Sequence, residues 1–336
     1  MKNRTTLAAL AAVALLMAAC GGSDDSADTT GTSAPVTTAG DTAPVTTPGD
    51  TTEVPETVDV PIEGTVTFGA FDIEITGGVI EPDELGTGQT LAIDTKLTNG
   101  SDSPALPDLG EIVLELPDDE SVSGSLDAEQ VPSGRDGNGQ LVFTLPSEDG
   151  APFDETLLDE ARIVMGSADV NQAIVSFADG VEASLEPITF DPVGEVVLDT
   201  PADTFDRTYG ATFQLDTVEM RFTDAADNRG LEAGSGLLSL SGTWTGNGTQ
   251  ACSFNLDESA VTDPDGGTTP VAAEADCVQE GKTADIELTA EIAEVAEGEY
   301  SVVIAIANQG GEGTTDSEPI VVTLDEADLE GVLAPA

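Results

Sequence analysis

Leu91, Ile93, Thr95 and Leu97 alternate with Ala92, Asp94 and Lys96 in the stretch Leu91-Ala-Ile-Asp-Thr-Lys-Leu-Thr-Asn99, which decides the fold class. Leu91, Ile93 and Leu97 share one face of an extended chain, because successive side chains of a strand point to opposite sides. The same period of two recurs at 112–116, 141–145, 238–240, 254–256, 286–288 and 300–307. Turn-forming residues separate these runs, and long helical periodicity is nearly absent. The sequence therefore predicts an all-β protein, built as β-sandwiches.

Local signals predict the turns and one short helix. Asn99-Gly100, Asn138-Gly139 and Asn247-Gly248 are pairs that tolerate a positive φ, so they predict tight turns between strands. The segment from Phe153 to Ala161 predicts a single short helix or turn.

The two halves of the chain share a sequence pattern. Leu91, Ile93 and Leu97 match Leu238, Leu240 and Trp244 at a constant offset of 147 residues. Three further matches support the pattern. Residues 131–135 match 278–282 at the same offset. Residues 68–73 match 209–215 after one inserted residue, and Leu114 and Leu116 match Phe254 and Leu256 at an offset of 140. The pattern predicts a tandem duplication of one β-sandwich; the alternative is two unrelated β domains with generic alternation.

The N-terminus carries an export signal. Lys2 and Arg4 precede an unbroken apolar run from Leu7 to Ala19, which is shorter than the roughly 20 residues that a membrane-spanning helix needs. The following Met17-Ala-Ala-Cys20 resembles the lipobox of bacterial lipoproteins, with Met17 where that family prefers Leu. The resemblance implies that 1–19 is a lipoprotein signal peptide. It also implies that lipidated Cys20 is the protein's only membrane anchor, at the outer face of the cell membrane. An ordinary signal peptide is the alternative.

Residues 20–61 differ in composition from the rest of the chain. They are rich in Thr, Pro and Asp, their large apolar residues are isolated Val, and they contain a nine-residue duplication at 34–42 and 43–51. Such a segment buries too little apolar surface to offset its ordering entropy, so we expect a disordered linker. An O-glycosylated stalk is the alternative.

Two cysteines remain once Cys20 is assigned to the anchor. Cys252 and Cys277 belong to a chain predicted to be exported, and exported chains sit in an oxidising compartment. We therefore expect a disulfide between them, with two unpaired thiols as the alternative.

The first half resembles a known family over residues 64–190. Gly69 with its flanking aromatics, the strand from Leu91 to the Thr-Asn99 turn, the segment from Val131 to Pro146 and the stretch 162–173 are similar to immunoglobulin-like modules of uncharacterised function that recur in Gram-positive lipoproteins. The resemblance implies two tandem immunoglobulin-like β-sandwiches, at 62–191 and 192–336. The second half departs from the pattern at its two cysteines and at a longer loop over 224–236. The resemblance implies no activity.

Composition argues against several functional classes. The chain has 65 Asp and Glu against 9 Lys and Arg and no His, for a formal net charge of −56. The absence of His removes the commonest general base and metal ligand. The negative field opposes binding to nucleic acid.

Two acidic loops are candidate calcium sites. Asp263 and Asp265 begin a segment in which Glu274 falls at the twelfth position, although Thr268 stands where an EF-hand requires Gly. Asp224 and Asp227 form a second acidic loop. With so many acids, clusters also arise by chance.

The sequence thus predicts a lipid-anchored extracytoplasmic protein that binds or spaces at the cell envelope without catalysis. Its partner would be an envelope protein or polymer that the sequence does not identify. Calcium is the cofactor for which the sequence offers candidate ligands. The alternatives are a secreted hydrolase that uses carboxylates, such as those of Asp118-Asp119-Glu120, and an acidic calcium-binding accessory protein.

Overall fold

The computed structural model describes residues 57–82, 88–147, 151–199, 210–226, 229–247, 258–275, 281–307 and 314–334, all within one compact unit. The fold is all-β and antiparallel, which confirms the predicted fold class. The helices found in these ranges are too short to span a bilayer.

The first half contributes ten strands. They are β1 (Val58–Val60), β2 (Gly64–Phe68), β3 (Phe71–Pro82), β4 (Gln89–Asn99), β5 (Ile112–Glu115), β6 (Ser121–Ala128), β7 (Asp136–Leu145), β8 (Arg162–Met165), β9 (Ala173–Ser176) and β10 (Gly180–Ala183). Two 3₁₀ turns lie at Pro117–Asp119 and Glu155–Glu160, and the second confirms the short helix predicted over 153–161.

The second half contributes the remaining strands and one α-helix. They are β11 (Ile188–Phe190), β12 (Gly194–Asp199), β13 (Gly210–Arg221), β14 (Thr223–Asp224), β15 (Arg229–Gly230), β16 (Gly236–Asn247), β17 (Ala260–Thr262), β18 (Thr268–Pro270), β19 (Ala272–Ala275), β20 (Thr283–Ile292), β21 (Gly298–Val303), β22 (Ala305–Ala307), β23 (Thr314–Asp316), β24 (Ile320–Leu324) and α1 (Glu326–Leu329).

The first half has the strand order β1-β3-β4-β7-β6-β5-β8-β9-β10, with β2 also on β3. Strand β6 changes partner along its length, since 121–123 pair with β5 and 124–128 pair with β7. A Cβ added at Gly124 would come within 2.4 Å of the Phe143 ring, so glycine lets the strand cross this ring. Through β6 the chain passes from one sheet layer to the other.

The second half repeats this order in separate sheets. One sheet runs β11-β13-β16-β20-β19, with β12 also on β13, and the other runs β18-β17-β21-β24. In the second half, the places of β3, β4, β7 and β6 are taken, in that order, by β13, β16, β20 and β19. The places of β5, β8 and β9 are taken by β17, β21 and β24.

The register of the repeat agrees with the predicted offset. Strand β20 begins and ends 147 residues after β7. A β-bulge interrupts β3 between Ile75 and Gly77, and an equivalent bulge interrupts β13 between Leu215 and Thr217. The residues opposite these bulges, Thr95 and Gly242, are again 147 apart.

The predicted match of 68–73 with 209–215 is wrong in its register. Ile75 and Leu215 occupy equivalent positions beside the bulges, and no inserted residue is needed in the strand that contains them. Because β2 pairs with β3 as β12 pairs with β13, the counterpart of Phe68 is Leu198. The additional residues of the second half lie in the connection between β12 and β13. In the first half, only two residues connect β2 to β3.

Two of the three Asn-Gly turn predictions are wrong. Asn138 and Gly139 lie inside β7, where a Cβ on Gly139 would come within 2.9 Å of the Ala128 side chain. Asn99 is fully buried at the end of β4, and its amide donates to the carbonyls of Ser103 and Val131. Gly100 and Gly139 lack the positive φ that was predicted. Close packing accounts for Gly139, and at the end of β4 the Asn99 side chain accepts from the backbone N–H of Ser101 at 2.8 Å. Gly248 lies outside the described residues.

One contiguous apolar core runs through both halves. The alternating residues predicted to face inward, among them Leu91, Ile93, Leu240 and Leu288, are at most 1% exposed. Trp244 is also buried in this core. Tyr300 is fully buried on β21.

The two halves are joined through Asn171, which is 3% exposed. Its amide nitrogen donates to the carbonyls of Phe222 (2.9 Å) and Ser235 (2.8 Å), and its amide oxygen accepts from the backbone N–H of Gly234 at 2.8 Å. A Cβ at Gly230 would come within 2.9 Å of the Val170 side chain, so this junction is closely packed.

The chain end returns to the first half. The backbone amides of Ser184 and Leu185 donate to the carbonyls of Gly331 and Val332, at 2.8 and 2.9 Å. The predicted boundary between 191 and 192 falls between β11 and β12, yet both strands pair with β13. The second-half sheet therefore begins at Ile188.

Candidate functional site

Several predicted site residues lie outside the described residues. These are the lipidation site Cys20, the cysteines Cys252 and Cys277, and the candidate ligand Asp227. The anchor and the disulfide therefore stay predictions.

Asp263 organises a turn. Its carboxylate accepts from the backbone N–H of Gly267 at 2.7 Å, and it closes the loop between β17 and β18. Asp265 is exposed at the tip of this loop, whereas Glu274 lies on β19, in the other sheet of the second half. The twelve residues counted in the sequence thus pass through two strands and do not form one calcium-binding loop.

Asp224 also has a local role. Its carboxylate accepts from the backbone N–H of Ala226 at 3.0 Å and pairs with Arg229 at 3.3 Å across the β14-β15 hairpin. Among the described residues, no group of three or more acidic or thiol side chains is arranged to hold a metal ion. Calcium binding remains a prediction.

The carboxylates of Asp118, Asp119 and Glu120 are exposed on the hairpin between β5 and β6. Asp118 and Asp119 have φ values of 63° and 62°, the left-handed backbone geometry that tight hairpin turns use. The backbone N–H of Leu116 donates to the carbonyl of Glu120 at 2.8 Å and closes this turn. The triplet is therefore a solvated turn between strands.

Tyr300 lies close to the Asp263 loop. Its hydroxyl donates to the carbonyl of Ala296 and accepts from the backbone N–H of the same residue, both at 2.9 Å. Burial raises the pKa of Tyr300, and the charges of Asp263 and Asp265 raise it further. These contacts hold the β20-β21 connection in place.

The described part of the second half contains a groove. It has a volume of about 650 Å³ and is lined by residues 191–193, 195–197 and 316–322. These segments include parts of β12 and β24. Within the described ranges, each of these strands pairs with a single neighbour, β13 for β12 and β21 for β24. The groove thus lies beside two strand edges.

Apolar side chains are exposed at this groove. Val197 on β12 is 50% exposed and Val321 on β24 is 53% exposed, whereas their neighbours Leu198 and Val322 point into the core. A β-branched residue on the outer face of an edge strand favours pairing with another chain.

The corresponding seam of the first half is closed. There β10 pairs with β9, and the backbone N–H of Thr67 on β2 donates to the carbonyl of Ser184 at 2.7 Å. A Cβ on Gly64 of β2 would come within 2.7 Å of Val181 of β10. In the described part of the second half, the chain after β24 instead forms α1 and returns to the first half, so no counterpart of β10 covers β24.

The rim of the groove is acidic. Asp191, Glu195, Asp316 and Glu318 are exposed among its lining residues, which include no Lys or Arg. The groove therefore combines exposed apolar side chains, strand edges and negative charge.

The groove was not predicted from the sequence. A usable signal was present, because Glu195-Val-Val197 and Ile320-Val-Val322 place apolar residues on both faces of their strands. The sequence alone does not show that the two segments line one groove.

Comparisons with known proteins give no family. No family model and no curated protein matches this chain. A solved structure, the crystal structure of the conserved domain protein from Bacillus anthracis, is similar at 12% identity with a TM-score of 0.21. The match covers 80% of this chain and 92% of that one. A TM-score this low supports no argument about function.

Proposed function

We propose that this chain is a lipid-anchored extracytoplasmic binding protein of the cell envelope, without catalytic activity. Cys20 would carry the lipid, and the predicted linker would tether the β-sandwich region as far as β1, because Val58–Val60 pair with β3 and belong to the folded region. The observation that carries the binding role is the groove beside β12 and β24, where Val197 and Val321 are exposed.

We further propose that the two halves are immunoglobulin-like modules that arose by duplication. The order β3-β4-β7-β6 with β5-β8-β9 corresponds to the ABED and CFG sheets of such a module, and it recurs in the second half. Tyr300 adds support. It lies near the start of β21, the strand in the place of F, and its hydroxyl bonds to the backbone of Ala296 a few residues upstream. A tyrosine with this position and this bond is typical of the immunoglobulin fold.

The anchor is tested by cell fractionation. The full chain should partition with membranes, and Cys20→Ala should release it. An Ala variant that is still membrane-bound and processed as before would contradict the lipoprotein assignment.

The binding role is tested on isolated envelopes with the released, full-length Cys20→Ala protein. We expect saturable binding that Glu195→Lys/Glu318→Lys, at the groove rim, strongly weakens. The matched control is Asp102→Lys/Glu129→Lys, which makes the same charge change at exposed positions of the first half. Equal binding by both double variants would exclude the groove as the binding site.

A further inference from the structure

We propose that the groove accepts an extended, positively charged peptide segment of another protein, which adds as a strand beside β24. This inference rests on the proposed binding function of the same site and names the chemistry of its partner. Strand addition to an exposed sheet edge supplies main-chain hydrogen bonds, and alternate side chains supply specificity.

The internal repeat shows which shape fits the groove. Strand β24 occupies the place of β9, and β9 is covered by β10. The segment after β10 also reaches the other sheet layer, where the Ser184 carbonyl accepts from Thr67. An extended segment at the equivalent place in the second half would therefore pair with β24 and reach β12.

The register identifies the matching amide on β12. Thr67 lies opposite Asp72 on β3, and Val197 lies opposite Thr212 on β13, in equivalent positions of the two hairpins. Because the amides of an antiparallel strand alternate in direction, the N–H of Val197 points towards the groove as that of Thr67 points towards Ser184. This amide is the expected donor to the added segment.

Charge selects a basic occupant from another protein. Asp191, Glu195, Asp316 and Glu318 surround the groove. A second copy of a chain with net charge −56 is repelled, and the chain's own residues 21–61 contain acids and no Lys or Arg. Lys or Arg in alternation with apolar residues would place cations at the rim and apolar side chains beside Val197 and Val321.

The test uses the full-length released protein and a labelled ten-residue peptide of alternating lysine and valine, at physiological salt. We expect saturable binding that is at least about tenfold weaker for Glu195→Lys/Glu318→Lys, and changes less than about twofold for Asp102→Lys/Glu129→Lys. A peptide with the same side chains but alternate N-methylated amides should not bind, because it cannot pair as a strand.

Hydrogen exchange locates the peptide in the wild-type protein. The amides of 194–199 and 320–324 should become protected, whereas those of β2 and β9 should not change. Equal binding of the N-methylated peptide, or protection spread over both halves, would show general charge attraction and overturn the proposal. Absence of binding up to millimolar peptide would also overturn it. Groove-dependent binding to isolated envelopes would in that case leave the broader binding function intact.

Discussion

At the scale of single residues, Asn171 has the largest structural role that the sequence did not reveal. It lies within a stretch noted only for its family resemblance, and its side chain satisfies three backbone groups from the second half. An asparagine offers both donors and an acceptor in one small group, which neither aspartate nor leucine can match.

Asn171→Ala should destabilise the protein by about 3 kcal/mol, because each buried polar group left without a partner costs about 1–3 kcal/mol. Denaturant unfolding measures this loss, with Asn138→Ala as the control at an exposed position. A loss no larger than that of the control would show that the junction does not depend on this side chain.

Asn171→Asp provides a pH-dependent version of the same test. An ionised carboxylate facing the carbonyls of Phe222 and Ser235 is unfavourable, so the pKa of the new acid should be higher in the folded than in the unfolded protein. The variant should therefore lose stability, relative to wild type, as the pH rises above the unfolded pKa of about 4. A constant difference between the two proteins from pH 3 to 7 would contradict this account.

At the scale of elements, the segment that follows the last strand of a sheet determines whether the edge of that sheet is covered. Strand β9 continues into β10, whereas the described chain after β24 turns into α1. The start of α1 is fixed by reciprocal hydrogen bonds between Asp325 and Asp328. This local difference closes one seam and leaves the other as a groove.

The β5-β6 hairpin offers a stabilising substitution. Asp118 and Asp119 both have positive φ, and Asn-Gly suits this geometry better than Asp-Asp. Asp118→Asn/Asp119→Gly should raise the free energy of unfolding by about 0.5–1 kcal/mol. Asp102→Gly, at an exposed residue without positive φ, should give no gain. Equal effects in the two proteins would contradict the backbone explanation.

The β20-β21 connection depends on the Tyr300 hydroxyl. Tyr300→Phe leaves both backbone groups of Ala296 without this partner and should cost about 1–2 kcal/mol. Because the pKa of Tyr300 is raised in the folded state, wild-type stability should fall as the pH rises above the usual value of 10.0, and this part of the fall should be missing in Tyr300→Phe. Parallel pH profiles for the two proteins would refute the role.

The sequence predicted the strands well because their inward residues alternate, as Leu91 to Leu97 and Leu141 to Leu145 show. It failed at Asn99 and at Gly139, since close packing and turn geometry select the same residue types. It also failed at the groove, because Val197 and Val321 are 124 residues apart in the sequence and line the same groove only in the folded chain.

At the scale of the whole molecule, negative charge dominates. The described ion pairs are few, and they involve Lys96 with Asp136, Arg162 with Glu115 and Glu182, Arg221 with Glu219 and Glu287, and Arg229 with Asp224. Pairs at exposed positions contribute little, so they leave most of the repulsion in place.

The melting temperature should therefore rise with added NaCl. Salt shortens the Debye length from about 10 Å at 0.1 M to about 3 Å at 1 M and screens the repulsion. Divalent cations should act at lower concentrations, and a specific calcium site would add a saturable rise that magnesium does not reproduce. A melting temperature that stays flat up to molar NaCl would show that the acidic surface is too dispersed to matter.

We propose that the groove beside β12 and β24 binds a partner while the protein is anchored at the envelope. Site-specific photo-crosslinking in intact cells tests it most directly, with the crosslinker at Val321 and, as a control, at the exposed Thr144 of β7. We predict a discrete crosslinked species in the membrane fraction from Val321 alone, which disappears in Glu195→Lys/Glu318→Lys. Crosslinking that is equal at Val321 and Thr144, or absent from both, would contradict the account.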